Sequence, residues 1–331
     1  MPEMNRRQAM AAVLSTAAAT SMLSPTSSIA QQEYPTRPIK LVLGFPPGGA
    51  ADLSARRIGE QLARQLGQPV VVENRPGASG NIAATYVARS QPDGYTLFYG
   101  SNSTHAMNVS LYSKLDFDPV KDFEPIVLQG KTSNVLSVHP AYPVKSLKEF
   151  IDKAKAEPSR ISVASGGNAT SLHMALELLK ETAEIDLVHI PYRGSAAAVT
   201  DVIGGQVPAI MDNVPSSLPF IKSGKLRALA VTSSTRLAQL PDVPTFDELG
   251  LKGYEVAAWG AFWAPAGTPR AVIARLNKEM NIALKDPQVM AVLYESATVP
   301  QGGTPEELAL FAREETAKWA RVIRRAGIRL D

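Results

Sequence analysis

Residues 39–52 read IKLVLGFPPGGAAD, and the way an apolar run meets Pro-Pro-Gly-Gly there decides the fold class. Ile39, Leu41, Val42 and Leu43 form a run short, branched and apolar enough for a strand buried on both faces. Pro46 and Pro47 end it, because proline has no N–H for a ladder and fixes its own φ. Gly48 and Gly49 then let the backbone approach whatever lies above the turn. A helix over about residues 50–66 follows, with unsatisfied N–H groups and a positive dipole end at its start. Strand, glycine turn and helix start together suit an anion, either phosphate or carboxylate.

The same design recurs along the chain. After a strand at 70–73, Asn74-Arg75-Pro76 leads into Gly77-Ala78-Ser79-Gly80-Asn81 and a helix at 82–88. Ser165-Gly166-Gly167-Asn168-Ala169-Thr170-Ser171 follows a strand and opens a helix that carries His173. Pro191-Tyr192-Arg193-Gly194-Ser195 follows Leu187-Val188-His189-Ile190 and opens another. Four such turns offer backbone and hydroxyl donors, which is what carboxylates at both ends of a small molecule require. Asp212-Asn213 closes a strand at 207–211 and is placed to accept a ligand hydroxyl or amine. Arg193 suits either a bidentate carboxylate contact or a surface ion pair. His173 either reaches the cleft or is structural, and Phe45 either stacks on a ligand or fills the core. Trp259 and Trp263 lie on a segment returning from one half of the chain to the other.

Several classes lack support. After Gly48-Gly49 the next glycine is Gly59, so no dinucleotide fingerprint exists. Gly130-Lys131-Thr132 ends like a P-loop, yet the glycine required five positions earlier is Pro125. His105, His139 and His189 show no metal spacing and cysteine is absent, so no cofactor or metal is expected. Around Ser79 the serine-hydrolase elbow fails, with Asn81 in place of glycine. The 34 basic and 31 acidic residues give a net charge of +3, too balanced to direct the chain to nucleic acid.

Strand and helix signals alternate, which predicts an α/β fold with a mainly parallel sheet. Strands are expected at 39–43, 70–73, 96–99, 134–138, 160–163, 186–189, 207–211 and 227–231. An all-helical segment is expected to close the chain over 269–326. Residues 127–140 and 253–265 read as extended crossings between lobes. They would leave a first lobe of 34–129 plus 259–331 and a second of 130–258, facing each other across a cleft. At the N-terminus, Arg6-Arg7, the mildly apolar stretch 9–23 and Ser28-Ile29-Ala30 read as an export signal cleaved near Ala30. No later run is apolar enough to span a membrane, so the mature chain is expected in the periplasm and not embedded in the membrane.

The motifs resemble one family in order. Tyr34-Pro35-x-Arg37-Pro38-Ile39, then Phe45-Pro46-Pro47-Gly48-Gly49 and Asp52, resemble the start of mature Bug-type receptors, the extracytoplasmic solute-binding proteins of tripartite tricarboxylate transporters. Val71-Val72-Glu73-Asn74-Arg75-Pro76-Gly77-Ala78-Ser79-Gly80, Pro92-Asp93-Gly94-Tyr95-Thr96-Leu97, Leu240-Pro241-Asp242-Val243-Pro244-Thr245 and Ala264-Pro265-Ala266-Gly267-Thr268-Pro269 continue the likeness. It implies a two-lobed type II periplasmic-binding fold that closes on a small organic acid and passes it to membrane transporter subunits. It implies ligand contacts from Phe45, Gly48, Gly49, Ala50, Asp52, Ala78 and Ser79 in the first lobe. In the second it implies Ser165, Asn168, Thr170, Ser171, His173, Tyr192, Arg193, Gly194 and Asp212. Such a receptor is expected to be a monomer without catalytic activity; a ligand sensor and a hydrolase are the alternatives.

Overall fold

The computed structural model describes residues 34–330 except Ala169 and Arg193, so the export signal and Arg193 lie outside the described residues. The first stretch of the chain runs β1 (Ile39–Leu43), α1 (Ala50–Leu66), β2 (Val70–Asn74), α2 (Asn81–Ala88), β3 (Thr96–Ser101), α3 (Asn108–Leu111) and β4 (Phe123–Val138). It continues through α4 (Leu147–Ala156), β5 (Ser162–Ser165), α5 (Ser171–Ala183), β6 (Val188–Pro191), α6 (Ser195–Ile203), β7 (Ala209–Asn213), α7 (Val214–Lys222) and β8 (Arg227–Val231). It closes with β9 (Ala257–Pro265), α8 (Arg270–Ala283), α9 (Pro287–Glu295), β10 (Thr298–Gly302) and α10 (Pro305–Ala326).

The ten strands form one sheet in the order β2-β1-β3-β9-β4-β7-β5-β6, with β8 and β10 also pairing β4. Strand β1 is parallel to β2 and β3, and β5 is parallel to β6 and β7. Every partner of β4, and the β3–β9 pair, is antiparallel, so the sheet is mixed where a mainly parallel one was expected. The antiparallel pairs all involve β4 or β9, the two strands that join the parallel β2-β1-β3 group to the parallel β7-β5-β6 group.

Strand β4 is the long element of the sheet. Its residues Phe123–Ser133 pair with β9, Asn134–Val138 with β7 and Val135–Val138 with β8. At the change of partner the Asn134 amide donates to Thr232 Oγ1 at 2.9 Å and the Thr232 amide to the Asn134 carbonyl at 2.9 Å. Thr232 Oγ1 also donates to the Val256 carbonyl, just before β9. The closing segment is not wholly helical: β10 pairs Thr298 with Thr132 and Pro300 with Gly130. A proline-bearing strand of this kind belongs at an edge, where its missing N–H faces no partner.

Helices cover the sheet through one large apolar cluster that runs from Val42 and Phe98 to Leu136, Leu176, Phe246 and Trp319. Helix α10 carries a full capping box, Thr304 with Glu307, after which Pro305 starts the helix. Its buried Glu315 accepts the indole N–H of Trp259 at 3.1 Å and of Trp319 at 2.9 Å, and pairs with Lys318 at 2.7 Å. One carboxylate thereby fixes a tryptophan of β9 to the C-terminal helix.

Candidate functional site

Where β1 is flanked by β2 and β3, and β5 by β6 and β7, successive connections leave in opposite directions. Such switch points open a crevice at the carboxyl ends of strands. A cavity of about 510 Å³ lies there. It is walled by Gly44–Pro46 and Ala50–Ala51 after β1, Pro76–Gly77 and Ser79–Gly80 after β2, and Ser101–Ser103 at the end of β3. Asn168, Thr170 and Ser171 after β5 and Asn213, Pro215 and Ser216 after β7 complete the loop wall. Gln129, Gly130 and Thr132 of β4, and Ala258, Trp259 and Gly260 of β9, also line it. None of the described lining residues is Asp, Glu, Lys, Arg or His. Helices α1 and α7 both start at this cavity, and neither Gly49 nor Asn213 caps its helix through a side chain. Apart from Pro215, which has no N–H, their first residues therefore present amides free of a side-chain cap beside hydroxyl and amide side chains. The buried Asn102 Nδ2 and Asn213 Oδ1 have no protein partner.

The first two loops are held in place by close packing and by charge. A Cβ on Gly44 would stand 2.7 Å from the Gly80 Cα, so the two turns touch through bare backbone. Ala78 and Ser79 sit at φ 46° and 52°, a left-handed pair that ordinary residues avoid. Asn108 Nδ2 holds them by donating to the Ser79 carbonyl at 3.2 Å. Strain persisting at a loop on a cavity fits a place where geometry serves binding.

Asp52 is buried and faces away from the cavity. It accepts the Gly48 amide at 2.9 Å, Arg56 Nε at 3.0 Å and Asn74 Nδ2 at 2.8 Å. Asn74 Nδ2 also donates to the Phe45 carbonyl at 3.0 Å, so this clamp shapes the turn between Phe45 and Gly48. Burial pushes the Asp52 carboxyl up, but Arg56, the Gly48 amide and Asn74 together hold it below its ordinary range.

Tyr99 and Gln129 form the inner wall. The Tyr99 hydroxyl donates to Gln129 Oε1, and Phe45 meets the Tyr99 ring edge-on at 6.2 Å. Burial pushes the Tyr99 phenol far above its usual range, so it stays a donor. A Cβ on Gly260 would lie 2.8 Å from Gln129 Oε1, which is why only glycine fits beneath this pair.

On the other side Thr170 caps α5 by accepting the His173 amide at 3.3 Å, and its hydroxyl donates to the Gly167 carbonyl at 2.9 Å. Ser165 bonds His189 Nε2 at 2.6 Å and accepts the Gly167 amide at 3.2 Å, while His189 stacks on His173 at 3.9 Å. Burial, and then the neighbouring His173, push His189 down to about 4. The Gly194 amide donates to the Gly166 carbonyl at 3.0 Å, and Tyr192 Oη to Asp201 at 2.7 Å. Asp212 is wholly buried, accepting Ser195 Oγ at 2.5 Å and Ser217 Oγ at 2.8 Å.

Of the residues singled out in the sequence, Phe45, Ala50, Ser79, Asn168, Thr170 and Ser171 line the cavity. Gly48, Gly49, Ala78, Asp52, Ser165, His173, Tyr192, Gly194 and Asp212 are not among the lining residues: Gly48, Gly49, Ala78 and Gly194 are exposed, and Asp52, Ser165, His173 and Asp212 are buried. Along β7 the alternation of side chains turns Asp212 toward Ser195 and presents Asn213 instead. Ser101–Ser103, Gln129 and the face of Trp259 carried no sequence signal as cavity residues. Only the run Ser101-Asn102-Ser103-Thr104, dense in polar side chains after an apolar strand, hints at the first. A second depression, of about 300 Å³ between α5 and α10, is lined by Glu177, Lys180, Glu181 and Arg325, whose charges already pair with one another. No cluster of metal-ligating side chains occurs among the described residues.

Residues 54–328 match the model of the tripartite tricarboxylate transporter family receptor. The chain belongs to this receptor family. It is similar to the solved periplasmic binding protein BugD, with 36% identity, a TM-score of 0.74, and 89% of this chain and 99% of that one covered. An R. palustris protein solved with adipate is 36% identical at a TM-score of 0.77, covering 89% and 99%. MatC from Rhodopseudomonas palustris, solved with bound malate, is 34% identical at a TM-score of 0.73, covering 88% and 100%. The receptor thus has the mixed α/β fold of periplasmic binding proteins, and no helix among its described residues is long and apolar enough to cross a membrane.

Proposed function

We propose that this receptor captures a small organic acid in the cavity between its strand ends and delivers it to membrane transporter subunits. The observation that carries the reading is a 510 Å³ cavity walled by hydroxyl, amide and backbone donors with no acidic side chain among its described lining residues. Two uncapped helix starts add positive dipole ends to it, so an anion is stabilised there without a buried cation. The adipate and malate in the two similar structures are both diacids.

The segments 34–129 plus 259–331 and 130–258 act as lobes that close on the acid, bending where β4 changes partner near Asn134. Residues 1–30 direct export and are removed, and the mature receptor works as a monomer in the periplasm. It binds and releases without catalysis: the two hydroxyl–imidazole pairs described beside the loops, Ser165–His189 and Thr104–His105, both have their hydroxyl residue buried outside the cavity wall. A thermal-shift and calorimetry screen of refolded mature protein against C4–C6 diacids, citrate and aromatic acids tests this. One class should raise the melting temperature with dose, because a ligand of the folded state stabilises it by mass action. A flat response across all of them would overturn the reading.

A further inference from the structure

We infer that Gln129, held in one orientation by Tyr99, is the specificity-determining donor of the cavity, selecting acids whose second polar group is an acceptor oxygen and rejecting those that carry an ammonium. The inference deepens the organic-acid reading and rests on it.

Gln129 sits on β4 where both halves of the sheet meet the cavity, and only 2% of it is exposed. An amide side chain is ordinarily ambidextrous, with an acceptor at one end and two donors at the other. Here the choice is made by the neighbour. The Tyr99 phenol stays protonated, its single proton goes to Gln129 Oε1, and Gly260 leaves that oxygen just enough room. The Nε2 group keeps two N–H donors, and no bond from it to a described residue is formed. A side chain so enclosed that still lines the cavity can spend those donors only on what enters the cavity.

The charge inventory points the same way. An ammonium leaving water is held best beside a carboxylate. Asp52 is consumed by Arg56, Asn74 and the Gly48 amide, and Asp212 by Ser195 and Ser217, and neither lines the cavity. Ala169 and Arg193, which lie outside the described residues, are not acids. An acceptor oxygen on the ligand therefore meets two oriented N–H groups, whereas an ammonium meets neutral acceptors alone, the unpartnered Asn213 Oδ1 among them, and no countercharge.

Isothermal titration of matched pairs reads this directly: succinate with aspartate, glutarate with glutamate, and adipate with 2-aminoadipate. Wild type should favour the diacid of the best-fitting pair by about tenfold or more. Gln129→Leu should weaken that diacid by a similar factor, the usual cost of an unmet bond to a charged group. Gln129→Glu should move the preference toward the amino partner, since it supplies the missing countercharge. Tyr99→Phe, which frees the amide to turn over, should narrow the wild-type preference even if a Gln129 variant fails to fold, and thermal melts identify any such failure. Diacid binding with ratios unchanged within about twofold in the folded variants would overturn the inference alone, as would a wild-type preference for the amino partner. Wild type binding no member of any pair would instead overturn the organic-acid reading, and the inference with it.

Discussion

Replacing Asp52 by asparagine changes one atom, yet the surroundings leave the new amide nowhere to turn. Oδ2 accepts the Gly48 amide at 2.9 Å and Arg56 Nε at 3.0 Å, while Oδ1 accepts Asn74 Nδ2 at 2.8 Å and Arg56 at 3.0 Å. Every partner is a donor, so an NH2 group points its hydrogens at other hydrogens whichever way it is flipped. Bonds to a charged group contribute about 1.5–3 kcal/mol each, but the Arg56 arm counts for little because that side chain reaches solvent. The net cost is about 2 kcal/mol, or roughly 4 °C of melting temperature for a chain of this size.

The pH dependence makes the test sharp. Because the folded carboxyl lies below its ordinary range, its contribution is complete at neutral pH and disappears as pH falls through the folded value. Differential scanning calorimetry of wild type and Asp52→Asn from pH 7 down to pH 3 should show a full gap that closes on the acid side. A gap absent at neutral pH, or one that stays constant as the pH falls, would refute the assignment of Asp52 as the clamp of the Phe45–Gly48 turn.

Two further perturbations probe the frame. Glu315→Ala strands the indole N–H groups of Trp259 and Trp319 and should cost roughly 2–4 kcal/mol in urea unfolding; Glu315→Gln keeps an acceptor for them and loses only the Lys318 pair, worth under about 1 kcal/mol. Equal losses in the two variants would dismiss the indole bonds as the reason for this buried carboxylate. His189 faces His173, Glu177 and Lys180 and is held down to about 4, so the folded state binds fewer protons than the unfolded chain between pH 6.5 and that value. Stability should therefore decline as pH falls across this window, and His189→Gln should flatten the decline in a series of thermal melts.

Much of this architecture can be read from the sequence, and the gaps have physical causes. The strand–glycine–helix units announce themselves because a proline or glycine must stand where an apolar run stops, and β1, α1 and β8 fall where the pattern places them. Strand β10 escapes notice because Pro300 and Gly302 look like punctuation between helices. The first part of β4 escapes as a sheet strand because Pro125 and the polar run Gly130–Ser133 break any alternation; its partners β9 and β10 lie far off in sequence and supply the order. Loop membership of the cavity is similarly visible, but direction is not. Nothing local distinguishes Asp212, turned inward to two serines, from Asn213 on the cavity wall. Gln129 is less legible still, since its meaning depends on Tyr99 and Gly260, residues 30 and 131 positions away.

The unbroken run of β4 has a consequence for how this chain can change. One strand sets Gln129 against the cavity and, five residues on, sets Asn134 against β7. Side chains alternate along a strand, so inserting or deleting a single residue between those two positions would invert one half of the sheet relative to the other. Two-residue changes would keep both faces but slide the loops past each other by about 7 Å. Strand β4 is in this sense a ruler cut to one length: the distance across the binding cavity is written in its residue count, and ligand preference is left to drift through the side chains and loops that line the cavity.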